Sequence, residues 1–149
     1  PVGRDPRDRK RMAVVETGRR AITRLRVRER WKAAEYLDVS LKTGRTHQIR
    51  VHLSHLGHPV VGDQVYGARW GKGMSGVNRV WARELARRAP RQMLHASDLM
   101  FRHPGTGEEL RFHADPWPDM AAVIAWARGD GPSGTGGGED DVPPGGTHT

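Results

Sequence analysis

Alternating hydrophobic and polar positions occur twice in the first third of the chain. One run extends from Ile22 to Val27 and the other from Tyr36 to Leu41, with the segment Glu29 to Ala34 between them. An alternation with period two is typical of strands that bury one face, so the two runs predict a β-hairpin. The segment before them is rich in Arg and turn residues, and it predicts a mostly extended basic arm with an apolar anchor at Met12 to Val15.

The hydrophobic period becomes helical directly after the second run. Ile49, His52, Leu53 and Leu56 follow the i, i+3, i+4, i+7 spacing, which predicts an amphipathic helix with these side chains on its buried face. Thr46 precedes them and is predicted as the N-cap residue. The polar residues of the N-terminal end lie where free backbone N–H groups and the helix dipole favour anions. This end is therefore predicted to receive a carboxylate or a phosphate; its polar side chains are Arg45, Thr46, His47 and Arg50.

The second half of the chain predicts a mixture of short elements. The patterns favour a short strand at Val60–Val61, a basic helix at Val80–Arg88 and a hairpin of strands Met93–Phe101 and Glu109–Ala114. They also favour a closing helix at Pro116–Arg128, whose predicted apolar face consists of Met120, Val123, Ile124 and Ala127. Beyond Gly129 the sequence contains mainly Gly, Pro, Ser and acidic residues, which predicts disorder. The predicted organisation is one α/β (α+β) domain over residues 1–128, with a mixed, mainly antiparallel sheet and flanking helices, and an acidic tail over residues 129–149.

The net charge of the chain indicates what kind of molecule it binds. The chain has a formal charge of +8, but its last 21 residues hold four acidic residues and no Lys or Arg, so residues 1–128 carry +12. A folded unit this basic is typical of proteins that bind polyanions, with a merely soluble basic surface as the alternative. Within the basic arm, Arg7, Arg9, Lys10 and Arg11 are predicted to contact phosphates without reading sequence, unless they form only a solvated charge run.

Several other chemistries are disfavoured by the sequence. The absence of Cys excludes disulfides, a thiol nucleophile and Cys-based zinc sites, and it fits a reducing, cytoplasmic environment. His52, His55 and His58 recur every three residues, but a helix would spread them over more than one face and no carboxylate lies among them, so no metal is expected. Ser54 and Ser97 lack the setting of a nucleophile elbow. Neither a phosphate-binding loop nor a transmembrane run is present, so no cofactor and no membrane partner are expected.

Four ordered motifs connect the chain to a known family. They are TGRTHQIRVH at 43–52, GHPVVGDQVYG at 57–67, RQMLHASDLMFRHPGTGEELRFHA at 91–114 and PDM at 118–120. In sequence and spacing they resemble the C-terminal half of the catalytic domain of RluA-type pseudouridine synthases. The resemblance implies the catalytic-domain fold of that family, incomplete at the N-terminus, and isomerisation of a uridine that has left the base stack of a structured RNA.

The resemblance also implies roles for individual residues. Arg50 closes the motif whose arginine pairs with the family's nucleophilic aspartate, and an adjacent guanidinium keeps such a carboxylate ionised. Leu94 matches a position that packs against the flipped base, and Arg45 and His47 are expected to face RNA. Tyr66 and His95 are motif residues expected to support structure. Asp63 belongs to a motif that is structural in the family.

The family's nucleophilic aspartate follows Arg-Leu, and no Asp of this chain does. The chain is therefore expected to be an inactive part of an enzyme whose aspartate lies upstream; the alternative is a non-catalytic RNA-binding module. Ribosomal RNA is the favoured substrate, transfer RNA remains open, and a cytoplasmic location is expected. No cofactor is implied, since the isomerisation needs none.

Overall fold

The computed structural model describes residues 1–129, so the tail predicted to be disordered lies outside the described residues apart from Gly129. Six short strands and three helices follow one another along the chain. They are β1 (Val2–Arg4), β2 (Met12–Val14), β3 (Thr23–Arg30), β4 (Glu35–Leu41), α1 (Gln48–His55), α2 (Gly76–Arg88), β5 (Asp98–Arg102), β6 (Glu109–His113) and α3 (Pro118–Arg128). The predicted mixture of antiparallel strands and helices is confirmed. No helix within residues 1–129 has the length and apolar character needed to span a membrane.

The strands form three separate two-stranded antiparallel sheets, β1–β2, β3–β4 and β5–β6. The prediction of one mixed sheet is therefore corrected for the described part of the chain. Each strand pairs with its neighbour in sequence through a short connection, an arrangement that hairpins adopt without any further strand. The middle hairpin agrees with the alternation, although Glu29 and Arg30 extend β3 and the connection shortens to residues 31–34.

The basic arm is also a hairpin rather than an extended segment. Val2 pairs with Val14, and Val2 exchanges two backbone hydrogen bonds of 2.9 Å with Arg19. These contacts bury Val2 almost completely, and it packs with Val51 and Tyr66 in a small core. The arm is therefore anchored to α1 at both of its ends, while its Arg-rich connection stays at the surface.

The buried face of α1 differs from the prediction. Gln48, Val51 and Leu53 are buried, whereas Leu56 is 61% exposed and Ile49 and His52 are only partly buried. The helix ends at His55, so Leu56 is the C-cap residue and lies beyond the last turn that packs. Only Leu53 of the four predicted core positions is fully buried.

A second packed region lies between α2 and α3. Leu85 and Ala82 of α2 and Met120, Val123 and Ile124 of α3 are buried, and the rings of Trp81 and Trp126 stack with centroids 5.3 Å apart. The predicted apolar face of α3 is confirmed for Met120, Val123 and Ile124, although the helix begins at Pro118. Helix α2 begins four residues earlier than predicted, at Gly76.

A close backbone approach joins the segment after α1 to the segment before β5. Residues 60–61 do not form the predicted strand, but Val61 O accepts a hydrogen bond of 2.8 Å from Met93 N. Gly62 has a positive φ of 75°, and a Cβ atom there would lie 2.0 Å from Arg91 O. Only glycine fits this position. The segment that begins at Arg91 lies beside residues 61–62 and does not pair with β6. Strand β5 therefore starts at Asp98 and not at Met93.

Candidate functional site

The N-terminal end of α1 begins with a residue that has an unusual backbone conformation. His47 is the N-cap and has a left-handed conformation with φ 55°, which few non-glycine residues adopt. The prediction of Thr46 as N-cap is wrong, and no side chain caps this helix. His47 Nδ1 lies 3.0 Å from the hydroxyl of Tyr66, a contact that helps to hold the strained residue.

Gln48 is the buried polar residue that connects this end of α1 to β3. Its Oε1 accepts hydrogen bonds from Thr43 Oγ1 at 2.9 Å and Arg45 N at 3.0 Å. Its Nε2 donates to Ile22 O at 3.1 Å and Thr23 Oγ1 at 2.9 Å. All its donors and acceptors are thus paired, as a buried amide requires. The turn that carries Arg45 and His47 is thereby fixed to the hairpin.

Arg50 forms a buried ion pair with Asp63. Arg50 Nε donates to Asp63 Oδ2 at 2.7 Å and Nη2 donates to Asp63 Oδ1 at 2.8 Å, a bidentate arrangement. The side chains are 11% and 0% exposed. Asp63 Oδ1 also accepts the backbone N–H groups of Val65 and Tyr66, each at 2.9 Å. The carboxylate accepts four hydrogen bonds, and the bidentate pair among them fixes the position of the guanidinium.

These contacts determine the ionisation of the pair. Burial raises the pKa of Asp63, but the hydrogen bonds from Arg50, Tyr66 N and Val65 N, together with the charge of Arg50, outweigh it and hold that pKa below its ordinary value. The hydrogen bond to Asp63 raises the pKa of Arg50, against the effect of burial. Both groups are therefore charged at neutral pH.

Tyr66 lies at the centre of the site. The guanidinium of Arg50 lies 4.9 Å from its ring centroid and that of Arg11 lies 5.1 Å from it. Its hydroxyl accepts a hydrogen bond of 3.0 Å from Met12 N. The ring therefore joins α1, the basic arm and the loop that carries Asp63.

The residues predicted to contact RNA fall into two groups. Arg7, Arg9 and Lys10 are exposed in the β1–β2 connection, whereas the side chain of Arg11 turns inward over Tyr66 and donates to Val65 O. Arg45 is partly buried and its Nε donates to Arg20 O at 3.3 Å. Residues 7, 9 and 10 thus present charge to solvent, and Arg11 and Arg45 also serve the fold.

Leu94 lies in a different part of the structure, at a cavity of about 750 Å³ between residues 91–96 and the start of α3. The close approach of Gly62 to Arg91 and the hydrogen bond from Met93 N to Val61 O place the segment that carries Leu94 beside the loop that carries Asp63. His95 also lines the cavity, and its Nε2 donates to Ala114 O at 2.9 Å. His95 thus has the supporting contact that the resemblance implied.

The three regularly spaced histidines do not converge. His52 Nδ1 lies 2.9 Å from Thr23 Oγ1, burial lowers the pKa of its ring, and His55 and His58 are exposed. Within residues 1–129 no three His or acidic side chains are grouped as metal ligands. Ser54, which was considered as a nucleophile, donates to Tyr66 O at 2.9 Å.

Sequence reasoning missed two features of the site. It did not identify Asp63 as the partner of Arg50, although an Asp directly after a turn glycine in a mainly apolar segment is a detectable signal. It also missed Gln48 as the residue that fixes the turn. The available signal there was a polar residue four positions before His52, which places it on the helix face predicted to be buried.

Comparison with known proteins gives a consistent result. Residues 4–55 match the family model described as RNA pseudouridylate synthase. The chain is 45% identical over 130 residues to ribosomal large subunit pseudouridine synthase D of Xanthomonas campestris, which covers 87% of this chain and 39% of that protein. The protein of the same name from Nitrosomonas europaea is 47% identical over 124 residues, covering 83% of this chain and 34% of the relative. That of Escherichia coli is 42% identical over 130 residues, covering 87% and 39%. The chain thus spans less than two fifths of the length of each of these three relatives.

Proposed function

The chain belongs to the RluA-type family of pseudouridine synthases, and from this premise we propose that it is the part of an RNA pseudouridine synthase that carries the arginine of the catalytic site. The substrate we propose is a uridine in large-subunit ribosomal RNA, since the relatives are named ribosomal large subunit pseudouridine synthase D. Transfer RNA is a less favoured substrate. The proposed location is the cytoplasm.

The observation that carries the proposal is the fixed guanidinium of Arg50. Asp63 accepts hydrogen bonds from Nε and Nη2, which account for two of the five N–H donors of an arginine side chain. The Nη1 edge is therefore left for a second anion. A carboxylate placed there would be held ionised by the adjacent charge and by hydrogen bonding.

We assign that carboxylate to the family's nucleophilic aspartate, supplied by a segment outside this chain. The aspartate attacks at the ribose or base of a flipped uridine, and Arg50 keeps it charged in a site that excludes water. Leu94 packs against the base. The residues that contact the RNA backbone are Arg45, His47, Arg7, Arg9, Lys10 and Arg11. In this scheme the 149-residue chain binds RNA but does not isomerise it.

The test is pseudouridine formation in unmodified, transcribed large-subunit ribosomal RNA. The chain would be assayed by itself and joined to the upstream part of the Xanthomonas relative, where the family resemblance implies the Arg-Leu-Asp motif. We expect activity only from the joined protein, and a loss of at least two orders of magnitude in kcat for its Arg50→Ala variant, in keeping with the loss of an electrostatic contact at the reacting centre. Arg26→Ala, which removes an exposed arginine of β3, is the matched control and should leave kcat unchanged.

The alternative, a non-catalytic RNA-binding module, is favoured by the charge of residues 1–128. It would be supported by a joined protein that binds the RNA and never modifies it. Pseudouridine formation by the 149-residue chain alone would contradict our assignment of the nucleophile to another segment.

A further inference from the structure

Positive charge is concentrated in residues 68–90, which lie between two of the family motifs and comprise α2 and the loop before it. These residues include six basic residues and one acidic residue, which gives a net charge of +5. Residues 91–115, by contrast, include three basic and four acidic residues, which gives −1. The positive charge of the chain is therefore not spread evenly. The basic residues of the segment are Arg69, Lys72, Arg79, Arg83, Arg87 and Arg88, and its acidic residue is Glu84.

Three of these arginines lie on one face of α2. Arg79, Arg83 and Arg87 follow one another at intervals of four residues, so they share a face, with neighbours about 6 Å apart along the helix axis. All three are exposed. The buried side of the helix instead carries Ala82 and Leu85, which belong to the packed region between α2 and α3. We call the surface formed by the three arginines the α2 arginine face.

The charge of the α2 arginine face is only partly compensated. Glu84 accepts hydrogen bonds from Arg87 Nε at 3.0 Å and Nη2 at 2.7 Å, and it also pairs with Arg88 at 2.9 Å. The part of the chain that the structure describes provides no ion-pair partner for Arg79 or Arg83. A solvated guanidinium needs no covering protein to be stable, and its N–H groups can donate to an anion. The face therefore offers two uncompensated arginines to a negatively charged partner.

Both ends of the segment are attached to the loop that carries Asp63. At its start, Gly67 N donates to Asp63 O at 2.8 Å. At its end, Ala89 lies against Gly62, since a Cβ atom at Gly62 would lie 3.1 Å from Ala89 Cβ. The C-terminal end of α2 is thus fixed beside the loop of the buried Arg50–Asp63 pair.

The arginines extend from that end along the helix. Arg87 lies two residues before Ala89, and Arg83 and Arg79 follow at about 6 and about 12 Å from Arg87 along the helix axis. Nucleotides that adjoin a uridine held at Arg50 are therefore close to the α2 arginine face.

We propose that the α2 arginine face binds the phosphate backbone of the RNA substrate, next to the nucleotide held at Arg50. Contacts of arginine with phosphate give affinity without reading sequence. The partner is RNA rather than an acidic protein segment, because the face belongs to a segment that begins and ends at the loop that fixes Arg50. This inference rests on the proposed function, which places RNA at Arg50, and adds to it a binding surface outside the family motifs.

The test compares RNA binding by the 149-residue chain with that of its Arg79→Gln, Arg83→Gln double variant. Fluorescence anisotropy with a labelled single-stranded oligouridine would be measured over a series of salt concentrations. We expect the double variant to bind on the order of tenfold more weakly at low salt. The slope of log K against log salt should become shallower by about 1.4, because each contact with single-stranded RNA contributes about 0.7. The double substitution by Lys keeps the charge and should retain most of the affinity and the slope.

Two control variants separate the charge of this face from other changes. Val80→Ala shortens an exposed apolar side chain of α2 and leaves the charge unchanged. Arg111→Gln removes an exposed charge from β6, outside the segment. Both should bind oligouridine as the unsubstituted chain does, and circular dichroism would show that each variant retains its helices.

A second measurement uses the unsubstituted chain and does not depend on the folding of any variant. Its arginines would be modified with phenylglyoxal in the presence and absence of oligouridine, and the modified residues would be identified by mass spectrometry. We expect RNA to protect Arg79 and Arg83 and to leave the modification of Arg111 unchanged.

The outcomes separate this inference from the proposed function. If the double Gln variant keeps the affinity and the salt slope, and RNA protects neither arginine, the face is only a solvated surface and the inference is overturned. If the substitutions weaken association with the upstream part of a relative and not RNA binding, the face is a protein contact and the inference fails. A joined protein that forms no pseudouridine, with the shallower slope still observed, would overturn the proposed catalysis and leave the face as an RNA-binding surface. If the unsubstituted chain binds no RNA, the proposed RNA binding and this inference both fail.

Discussion

Two Arg–Asp pairs in this protein have the same hydrogen-bond lengths and very different surroundings. In Arg50–Asp63 and in Arg91–Asp119, Nε and Nη2 donate to the two carboxylate oxygens at 2.7 and 2.8 Å. The side chains of the first pair are 11% and 0% exposed, and those of the second are 41% and 32% exposed. Asp63 accepts two further backbone bonds from Val65 and Tyr66.

The comparison shows that geometry does not determine the energetic role of an ion pair. Around the exposed pair, water screens the charges and can replace either partner, so such pairs contribute about 0–1 kcal/mol. Around the buried pair, removal of one partner leaves an uncompensated charge in a medium that cannot solvate it. Arg50–Asp63 therefore holds a buried guanidinium in one position, whereas Arg91–Asp119 is a solvent-exposed contact at the edge of a cavity.

The largest expected effect is that of Asp63→Ala, which breaks the buried pair. We expect a loss of about 3–5 kcal/mol in the free energy of unfolding, because Arg50 stays buried without its partner. Urea unfolding followed by circular dichroism measures this loss. Asp119→Ala is the matched variant of the exposed pair; equal losses for the two would show that burial does not separate them.

Gly62→Ala disrupts the contact between Gly62 and Arg91, which places the loop of the Arg50–Asp63 pair beside the segment of the Arg91–Asp119 pair. A Cβ atom at Gly62 would overlap Arg91 O, and φ is positive there, so we expect destabilisation of about 1–3 kcal/mol. Gly44→Ala is the control, since nothing lies within 4 Å of the position of its Cβ atom. The same urea measurement applies, and a Gly62→Ala protein as stable as Gly44→Ala would contradict the close approach.

Stability at acid pH compares the two ion pairs with substitutions of Asp by Asn, which keep the size of the side chain. The pKa of Asp63 is depressed in the folded state, so its contribution to stability is complete above the ordinary carboxyl pKa and is lost as pH falls through that value towards the folded one. We expect Asp63→Asn to flatten the dependence of unfolding free energy on pH between about pH 5 and pH 3. Asp119 also has a lowered pKa, owing to its hydrogen bond with Arg91, but solvent screening should make the effect of Asp119→Asn smaller. The reverse order would show that the exposed pair is the more strongly coupled one.

The smallest effect is expected for Asp119→Ala itself. The carboxylate is partly exposed, and water can solvate Arg91 after its removal, so we expect less than about 1 kcal/mol of destabilisation. The melting temperature by calorimetry is the measurement, and Asp38→Ala, which removes the exposed partner of Arg26, is its control. A cost near that of Asp63→Ala would assign Arg91–Asp119 the structural importance that we give to the buried pair.

Local pattern was enough to predict the elements whose stability is local. The alternation at Ile22–Val27 and Tyr36–Leu41 identified the middle hairpin, because antiparallel neighbours pair through a short connection and need no other part of the chain. The apolar face of α3 was recognised from its helical period, which depends only on residues within that helix. The roles of Arg50 and Leu94 came from resemblance and remain predictions, to be tested in the joined protein.

Features that depend on contacts between distant residues were not predicted from pattern. The buried face of α1 was placed wrongly because Val2 and Tyr66, which decide what Val51 packs against, come from outside the helix. The N-cap was assigned to Thr46 by residue preference, but the turn is fixed by Gln48 reaching Ile22 and Thr23, which allows His47 a left-handed conformation. Residue preference cannot anticipate such a tertiary contact.

The sequence by itself determined the short elements, the basic charge of residues 1–128 and the family motifs, since each depends on residues close together in the chain or on composition. The tertiary structure decided which carboxylate holds Arg50, how the Gly62 contact brings residues 91–96 beside the Asp63 loop, and which segments form the cavity beside Leu94. Ion pairs and cavities are formed by side chains that only folding brings within a few ångströms of one another. Their partners and their burial therefore cannot be read from spacing along the chain.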